Sequence, residues 1–174
     1  MKKIGIILTG LLILSSSFLT GCISDEQGTL TLKITDAPPE LNISKALVTI
    51  PFVEVHFASG GNNSSNGEWV TVINESMQFD LILLENVTDI LGSEIMNVGI
   101  YTQIRLHVTE ALVTIDGVEY DLKIPSETVK LVNQFMIKPD ETTTLILDFD
   151  IHESVHKTGN DEYILQPTIR VIEE

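Results

Sequence analysis

Cysteine is almost absent from this chain of 174 residues, because Cys22 is the only one. One cysteine cannot form a disulfide within the chain, and it cannot supply the several thiolates of a cysteine-ligated zinc site. No thiol nucleophile remains in the sequence after position 22. The composition therefore excludes a disulfide scaffold, cysteine-ligated zinc and thiol catalysis.

Basic residues are also few, since 10 Lys and Arg stand against 25 Asp and Glu and the formal net charge is −15 at pH 7. A body this acidic repels the phosphates of nucleic acids. We therefore expect no nucleic-acid partner. Aromatic residues make up only 6% of the chain. Trp69, Tyr101, Tyr120 and Tyr163 are candidates for a carbohydrate-binding face, but their scarcity favours packing in the core or at a sheet edge.

Only one long apolar run is present, at residues 4–19, directly after Lys2 and Lys3. It is too short for a comfortable membrane span and is typical of a secretory signal. It ends in Leu19-Thr20-Gly21-Cys22, which resembles the lipobox of prokaryotic lipoproteins. The resemblance implies a signal peptide at residues 1–21 and lipidation of Cys22; the alternative is an ordinary signal peptide with an incidental cysteine. One acyl chain holds a protein only marginally, so a two-chain lipid is expected.

A lipidated Cys22 sets the domain organisation and the location that we expect. Residues 22–27 would be a short tether, and residues 28–174 a single domain on the outer face of the cytoplasmic membrane. The mature chain from Cys22 would have 153 residues, enough for one core. Five of the nine asparagines begin an N-x-S/T sequon, which predicts N-glycosylation outside the cell and favours an archaeal source. The alternative is that Asn and Ser crowd together in turns. The sequon asparagines are Asn42, Asn62, Asn63, Asn74 and Asn86.

Period-2 alternation of apolar and polar residues dominates the sequence after the signal and predicts half-buried strands. About ten short strands at this spacing predict an all-β fold, a two-sheet β-sandwich. The dipeptide Asp116-Gly117 between two alternating runs predicts a hairpin. One short helix is expected at residues 83–91. The expected strands are residues 29–35, 46–57, 69–73, 78–83, 104–108, 111–115, 118–124, 128–132, 143–151 and 163–172.

Several segments of the chain resemble the domain of unknown function 4382 (DUF4382) of archaeal and bacterial lipoproteins. These segments are GTLTLKITDAP at residues 28–38, GIYTQIRLHV at 99–108, DGVEYDLKIPS at 116–126, and TTTLILDFDIHESV followed by YILQPTIRVI. They occur in order over nearly the whole mature chain. The resemblance implies a β-sandwich of the immunoglobulin-like or prealbumin (transthyretin)-like kind, and it implies no established activity.

The letters His152-Glu153-Ser154-Val155-His156 spell the H-E-x-x-H motif of zinc proteases. That motif works only on a helix, where the i, i+4 spacing aims both imidazoles at one metal while the glutamate reaches its water. Here the preceding residues 145–151 alternate as a strand does, and Gly159 with Asn160 would stop a helix within two turns. A zinc metallopeptidase is therefore only a remote alternative, and no catalytic residues are predicted.

The second candidate in this segment is a site that binds a metal ion without catalysis. Period 2 would place Asp148, Asp150 and His152 on one face of a strand, where carboxylate oxygens suit Ca²⁺ or another divalent ion. His152 and His156 would also suit adventitious zinc or nickel. The alternative is a solvated acidic strand and turn. Further candidate ligands in the following turn are Glu153, Asp161 and Glu162.

The sequence as a whole predicts a lipid-anchored, extracytoplasmic β-sandwich that serves as a non-catalytic binding or structural module of the cell envelope. The alternative is a lipoprotein that binds a solute, a glycan or a divalent cation through loops at one end of the sandwich. His56 and His107 are expected to be exposed strand side chains. No cofactor is predicted apart from the candidate cation. The membrane, reached through the lipid on Cys22, is an expected partner, and the sequence does not identify a protein, glycan or small-molecule partner.

Overall fold

The structure is a computed structural model, and it describes residues 26–37, 42–59, 67–160 and 162–174. Cys22, Asn62, Asn63 and Asp161, which carry predictions from the sequence, lie outside these ranges. The described chain is almost entirely β. Its strands are β1 (Gln27–Asp36), β2 (Ile43–Ile50), β3 (Val53–Ser59), β4 (Glu68–Ile73), β5 (Met77–Asp80), β6 (Asp89–Asn97), β7 (Gly99–His107), β8 (Glu110–Ile115), β9 (Val118–Lys123), β10 (Thr128–Ile137), β11 (Thr142–Phe149), β12 (Val155–Lys157), β13 (Tyr163–Leu165) and β14 (Ile169–Glu173).

These strands form three hydrogen-bonded sheets. The first sheet has the order β14-β11-β1-β6, the second has the order β10-β7-β3-β4, and the third has the order β12-β13-β9-β8-β2-β5. Most neighbours are antiparallel, but β1 pairs with β11 in parallel and β13 pairs with β9 in parallel. The pairing of β1 with β11 joins segments more than a hundred positions apart, from Thr29 with Thr142 to Asp36 with Phe149.

The second and third sheets together form one continuous, bent layer. Strand β2 runs into β3 across Pro51 and Phe52, while β7 runs into β8 across Val108 and Thr109. Backbone hydrogen bonds continue through the bend, since His107 N–H donates to Phe52 O and Thr109 N–H donates to Thr49 O, each at 3.1 Å. The first sheet supplies the facing layer, and the predicted all-β sandwich is confirmed.

Alternating side chains build the core, as the period-2 pattern requires. In β1, Leu30, Leu32 and Ile34 are fully buried, and the threonines and lysine between them are half-buried. Buried residues from all three sheets belong to one hydrophobic cluster. The residues it draws from the facing strands include Val53, Val55, Ile104, Leu106, Leu145, Leu147 and Phe149.

The described residues contain fourteen strands, four more than the ten that the sequence predicts, because proline and its neighbours divide two predicted runs and because β6 and β12 were not predicted. Pro51 separates β2 from β3, and Pro167 separates β13 from β14. Proline lacks the N–H that a ladder needs, so a strand normally ends or bends beside it. Each predicted run overlaps a strand, but two runs are pairs of strands, and the strand predicted at residues 104–108 begins earlier, at Gly99.

The predicted helix at residues 83–91 is wrong. A single 3₁₀ turn occupies Leu81–Leu84, capped by the Asp80 carboxylate, which accepts from Ile82 N–H at 3.3 Å. Asn86 then adopts a positive φ of 59°, a left-handed conformation that ends any right-handed helix. Strand β6 begins at Asp89. Within the part of the chain that the structure describes, no helix has the length and apolar character needed to cross a membrane.

Tyr101 fixes the turn between β6 and β7. Its ring is buried between Phe57 and Phe135, with centroid separations of 5.2 and 5.3 Å. Its hydroxyl donates to Asn97 O at 3.0 Å, which holds the turn against the core in the way of a tyrosine corner. Burial, with the negative charge of Glu68, raises the pKa of Tyr101 to about 12.

Candidate functional site

The H-E-x-x-H letters are divided between two structural elements. Helix α1 (Ile151–Ser154) has four residues and contains His152, whereas His156 lies on β12 and pairs with Ile164 of β13. Two histidines on different elements do not share the helical face that the zinc-protease geometry requires. Ser154 is fully buried, and its hydroxyl donates to Asp150 O at 2.5 Å and accepts from Thr168 N–H at 2.9 Å. The serine of the motif therefore holds this turn to the β13–β14 connection.

The predicted acidic face does not continue past Phe149, because the chain leaves the strand there and turns into α1. Asp148 is 8% exposed and pairs with Arg170, whose Nη2 lies 3.0 Å from Asp148 Oδ2. Asp150 caps α1 and accepts from Glu153 N–H at 2.9 Å. Across the described ranges, no three His, Cys, Asp or Glu side chains are grouped to hold a metal ion. The prediction of one face for Asp148, Asp150 and His152 is thus wrong, and a cation site stays a prediction.

Asp36 is a buried carboxylate that sequence reasoning missed. It is 3% exposed, and its Oδ1 accepts from Ile151 N–H at 3.1 Å. Its Oδ2 has no hydrogen-bond partner within the described residues. Burial raises the pKa of Asp36 to about 7, and the charges of Asp150 and Asp148 add to the rise. The sequence did contain a signal for the burial of Asp36, because this residue is the next inward position after Leu30, Leu32 and Ile34.

The outer face of the β10-β7-β3-β4 sheet gathers a second group of polar and aromatic side chains, which we call the Trp69 face. Its members lie side by side in the strand register: His56 is the cross-strand partner of Trp69, and Arg105 is the partner of both Glu54 and Lys130. The alternate residues of β3 point into the core. The members of the Trp69 face are Glu54, His56, Trp69, Arg105, His107 and Lys130.

Trp69 and Arg105 form the centre of this face. The Arg105 Cζ atom lies 3.6 Å from the centroid of the Trp69 ring, within the range of a cation–π contact. The His56 ring lies on the same indole at a centroid distance of 5.0 Å and a tilt of 55°. His56 Nδ1 is 3.0 Å from Thr102 Oγ1, so the imidazole is held as well. The guanidinium and the imidazole are therefore both positioned by contacts before any ligand arrives.

His107 extends the Trp69 face toward the bend of the sheet. Its ring stacks on Phe52 at a centroid distance of 3.7 Å and an angle of 18°. Its Nδ1 lies 3.3 Å from Thr128 Oγ1, and its Nε2 lies 3.6 Å from Glu54 Oε2. The prediction that His56 and His107 are plain exposed side chains is wrong, since both are half-buried and have partners.

The charge of the Trp69 face is opposite to that of the chain, whose formal net charge is −15. Elsewhere, Lys33, Lys138 and Arg170 each have a carboxylate oxygen within 4.0 Å. Arg105 and Lys130 have no carboxylate at ion-pair distance among the residues that the structure describes. The one carboxylate of the Trp69 face, Glu54, is the cross-strand partner of Arg105 but lies 3.6 Å from His107 Nε2, so two cations stand against one carboxylate on this face.

A cavity of about 470 Å³ adjoins the Trp69 face, and we call it the Phe52 cavity. It lies at the edge of the sandwich between β4 and β6. Phe52 connects it to the face through the stack with His107, and Thr71 connects it through its register with Glu54. An aromatic ring, a hydroxyl, an amide and a carboxylate line it. The lining residues are Phe52, Thr71, Val72, Asn74 and Glu94.

Three of the five sequon asparagines are described, and all three are exposed. Asn42 donates from Nδ2 to Asp116 Oδ1 at 3.1 Å. Asn74 lines the Phe52 cavity, and Asn86 sits in the left-handed turn before β6. Exposure in or beside a turn is what attachment of a glycan requires.

The model of the family described as domain of unknown function (DUF4382) matches residues 27–167. This range includes every strand from β1 to β13, and it includes the Trp69 face and the Phe52 cavity. No curated protein and no solved structure matches the chain. On the extent of the family match, the chain belongs to the DUF4382 family.

Proposed function

We propose that this protein is a non-catalytic binding module of the cell envelope, held on the outer face of the cytoplasmic membrane by a lipid on Cys22, and that the Trp69 face binds its ligand. The observation that carries the proposal is the arrangement of Arg105 over Trp69 with Lys130 beside it. Held cations without carboxylate partners, next to an aromatic ring, are groups that recognise a ligand.

The anchor and the location rest on the lipobox resemblance around Cys22. The first described strand begins at Gln27, so a lipid on Cys22 would keep the sandwich within a few residues of the membrane. We also propose N-glycans on the sequon asparagines, and the exposure of Asn42, Asn74 and Asn86 supports this. A lipobox together with sequons fits an archaeal envelope.

A binding role without catalysis is supported by what the candidate catalytic groups do. His152 and His156 stand on separate elements, and the Ser154 hydroxyl is engaged with backbone groups. The Trp69 face, by contrast, contains no carboxylate pair or activated hydroxyl of the kind that hydrolysis uses. Its contacts are those of recognition.

The anchor is tested by following the full chain in membrane and soluble fractions. We expect the wild-type protein in the membrane fraction and the Cys22→Ser variant in the medium or the soluble fraction. Because Cys22→Ser changes nothing within the described fold, a variant that stays in the membrane fraction would show that another segment holds the protein.

The binding role is tested by co-sedimentation of the chain without its first 25 residues, which retains every described strand, with insoluble envelope material. We expect the wild type to sediment, and Trp69→Ala to stay in the supernatant. Lys123→Gln, an exposed substitution on β9, is the control for a general loss of charge. Equal sedimentation of the wild type and Trp69→Ala would remove the Trp69 face from the proposal.

A further inference from the structure

We infer that the Trp69 face and the Phe52 cavity together bind an oligosaccharide that contains a carboxylated sugar, with Arg105 and Lys130 contacting the carboxylate and the open cavity contacting one side of a neighbouring neutral sugar. This inference rests on the proposed binding function and adds its ligand class. It is carried by three observations: the cation geometry, the lining of the cavity, and their contiguity.

The cations favour a carboxylate. A guanidinium stacked on an indole is held in one orientation, so its terminal N–H groups form a fixed fork that matches a planar carboxylate. Arg105 has this arrangement over Trp69, at 3.6 Å. Lys130 is its cross-strand partner on β10 and supplies a second positive charge within the reach of the same group. Among the described residues, no carboxylate lies at ion-pair distance from either cation.

The cavity favours a neutral, hydroxylated unit beside that carboxylate. Its volume of about 470 Å³ lies within the range of small-ligand sites. Glu94 offers hydrogen-bond acceptors, Thr71 offers a hydroxyl donor, and Phe52 offers a flat apolar ring. A sugar has hydroxyls for the polar groups and C–H faces for the ring. A second carboxylate is disfavoured here because Glu94 would repel it and the described lining includes no Lys or Arg, whereas beside Arg105 two cations offset the charge of Glu54.

The two parts are contiguous, so one chain of sugars can reach both. Phe52 lines the cavity, and its ring stacks on His107. Thr71 lines the cavity and is the cross-strand partner of Glu54, which in turn is the partner of Arg105. The path from the cavity to Arg105 therefore crosses two strand spacings, which is about 10 Å or the length of two sugar units.

Other classes of ligand fit less well. Nucleic acid needs an extended positive surface, and this chain has a formal net charge of −15. A protein partner usually needs a large contiguous apolar patch, but on the outer positions of this sheet the large exposed apolar side chains are Val132 and Met136 of β10, apart from the Trp69 ring. An oligosaccharide needs only a narrow strip of polar and aromatic groups.

The experiment uses calorimetric titration of protein made without N-glycosylation, so that Asn74 carries no sugar. One probe is a trisaccharide with a single uronic acid unit, and the other is the same trisaccharide with its carboxyl group reduced to the alcohol. We expect the acidic probe to bind at least tenfold more tightly, since a charge-assisted bidentate contact is worth that much or more. Arg105→Gln should remove this preference, Lys130→Gln should reduce it, and Lys123→Gln should preserve it.

The outcomes separate the ligand class from the binding function. Equal binding of both probes, unaffected by Arg105→Gln, would overturn the carboxylate assignment while leaving a glycan-binding module. Binding of neither probe by a protein that still sediments with envelope material would overturn the sugar class and leave the proposed function. Inorganic phosphate that competes as well as the acidic trisaccharide would reduce the site to a simple anion site. Circular dichroism and thermal unfolding of each variant confirm that loss of binding is not loss of fold.

Discussion

The carboxylate of Asp36 accepts a hydrogen bond at 3.1 Å from the backbone N–H of Ile151, which lies 115 positions later in the chain. This contact ties the end of β1 to the start of α1. Ala37 N–H donates to Phe149 O at 2.7 Å directly beside it. The junction carries the chain out of the first sheet and toward β12, so a buried carboxylate stands at the point where the two layers are connected.

Asp36 should make the stability of the protein fall as the pH rises. Its pKa is about 7 in the folded state and 3.8 when unperturbed. Between these values the folded state keeps a proton that the unfolded state releases, so the free energy of unfolding decreases from about pH 4 to pH 7 and then levels off. The decrease attributable to this group is a few kcal/mol, at about 1.4 kcal/mol for each pKa unit.

The Asp36→Asn variant isolates this effect, because asparagine keeps an oxygen for Ile151 N–H and does not titrate. Urea unfolding at pH 4.5 and pH 8 should show a smaller decrease for the variant than for the wild type. Asp121→Asn, at an exposed position of β9, is the charge-matched control. Parallel pH profiles for the wild type and Asp36→Asn would contradict this role.

The Tyr101→Phe substitution should destabilise the fold moderately. It removes the hydrogen bond to Asn97 O and leaves that carbonyl without this partner, at a cost of about 1 kcal/mol. For a domain of this size we expect the melting temperature to fall by about 2 to 4 °C. Tyr120→Phe, where the ring contacts Tyr163 at 4.7 Å, is the control for removal of a phenol. Ultraviolet absorbance should also show one phenol that ionises near pH 12 in the wild type and is missing from Tyr101→Phe.

Gly28→Ala should be much more damaging than its size suggests. A methyl group there would collide with the Lys138 carbonyl oxygen and lie 2.9 Å from Ile137 Cγ2. This is where β1 begins against the β10–β11 turn, and Thr29 N–H donates to Glu141 O at 2.9 Å. Overpacking of this kind costs about 1 to 3 kcal/mol. Gly159→Ala is the matched control, since nothing lies within 4 Å of its added methyl; equal stability of the two variants would refute the close approach.

We expect that the residues of the H-E-x-x-H motif neither bind zinc nor give the protein peptidase activity. Helix α1 contributes one turn, and His156 is already on β12. Metal analysis of the purified protein should find no stoichiometric zinc, and His152→Ala and His156→Ala should leave a peptide substrate as intact as the wild type does. Stoichiometric zinc that is lost on either substitution would contradict the separation of the two histidines.

The sequence could predict the strands because burial alternates locally. Leu30, Leu32 and Ile34 give the inward face of β1 without any knowledge of its neighbours. The parallel pairing of β1 with β11 is set by contacts between distant segments, and no local pattern contains it. The helix prediction at residues 83–91 failed because it did not anticipate the left-handed turn at Asn86.

The candidate site was harder to predict for the same reason. In the sequence, each of the residues Glu54, Trp69 and Arg105 is only a polar or aromatic residue on the outer side of its own strand. Such positions are common and do not indicate a binding site. Only the registers of β3 with β4 and with β7 bring them together. Asp36 differs, because extending the alternation of β1 by one step predicts its burial directly.

Trp69 is the only tryptophan of the chain, so its fluorescence reports on the Trp69 face alone. The most direct test is a titration of the wild-type protein with solubilised envelope polysaccharide, followed by tryptophan emission. We predict a saturable change in emission, with the same midpoint as binding measured independently, and a weaker or absent response from Arg105→Gln. Polysaccharide that binds the protein while Trp69 emission stays unchanged would contradict the account.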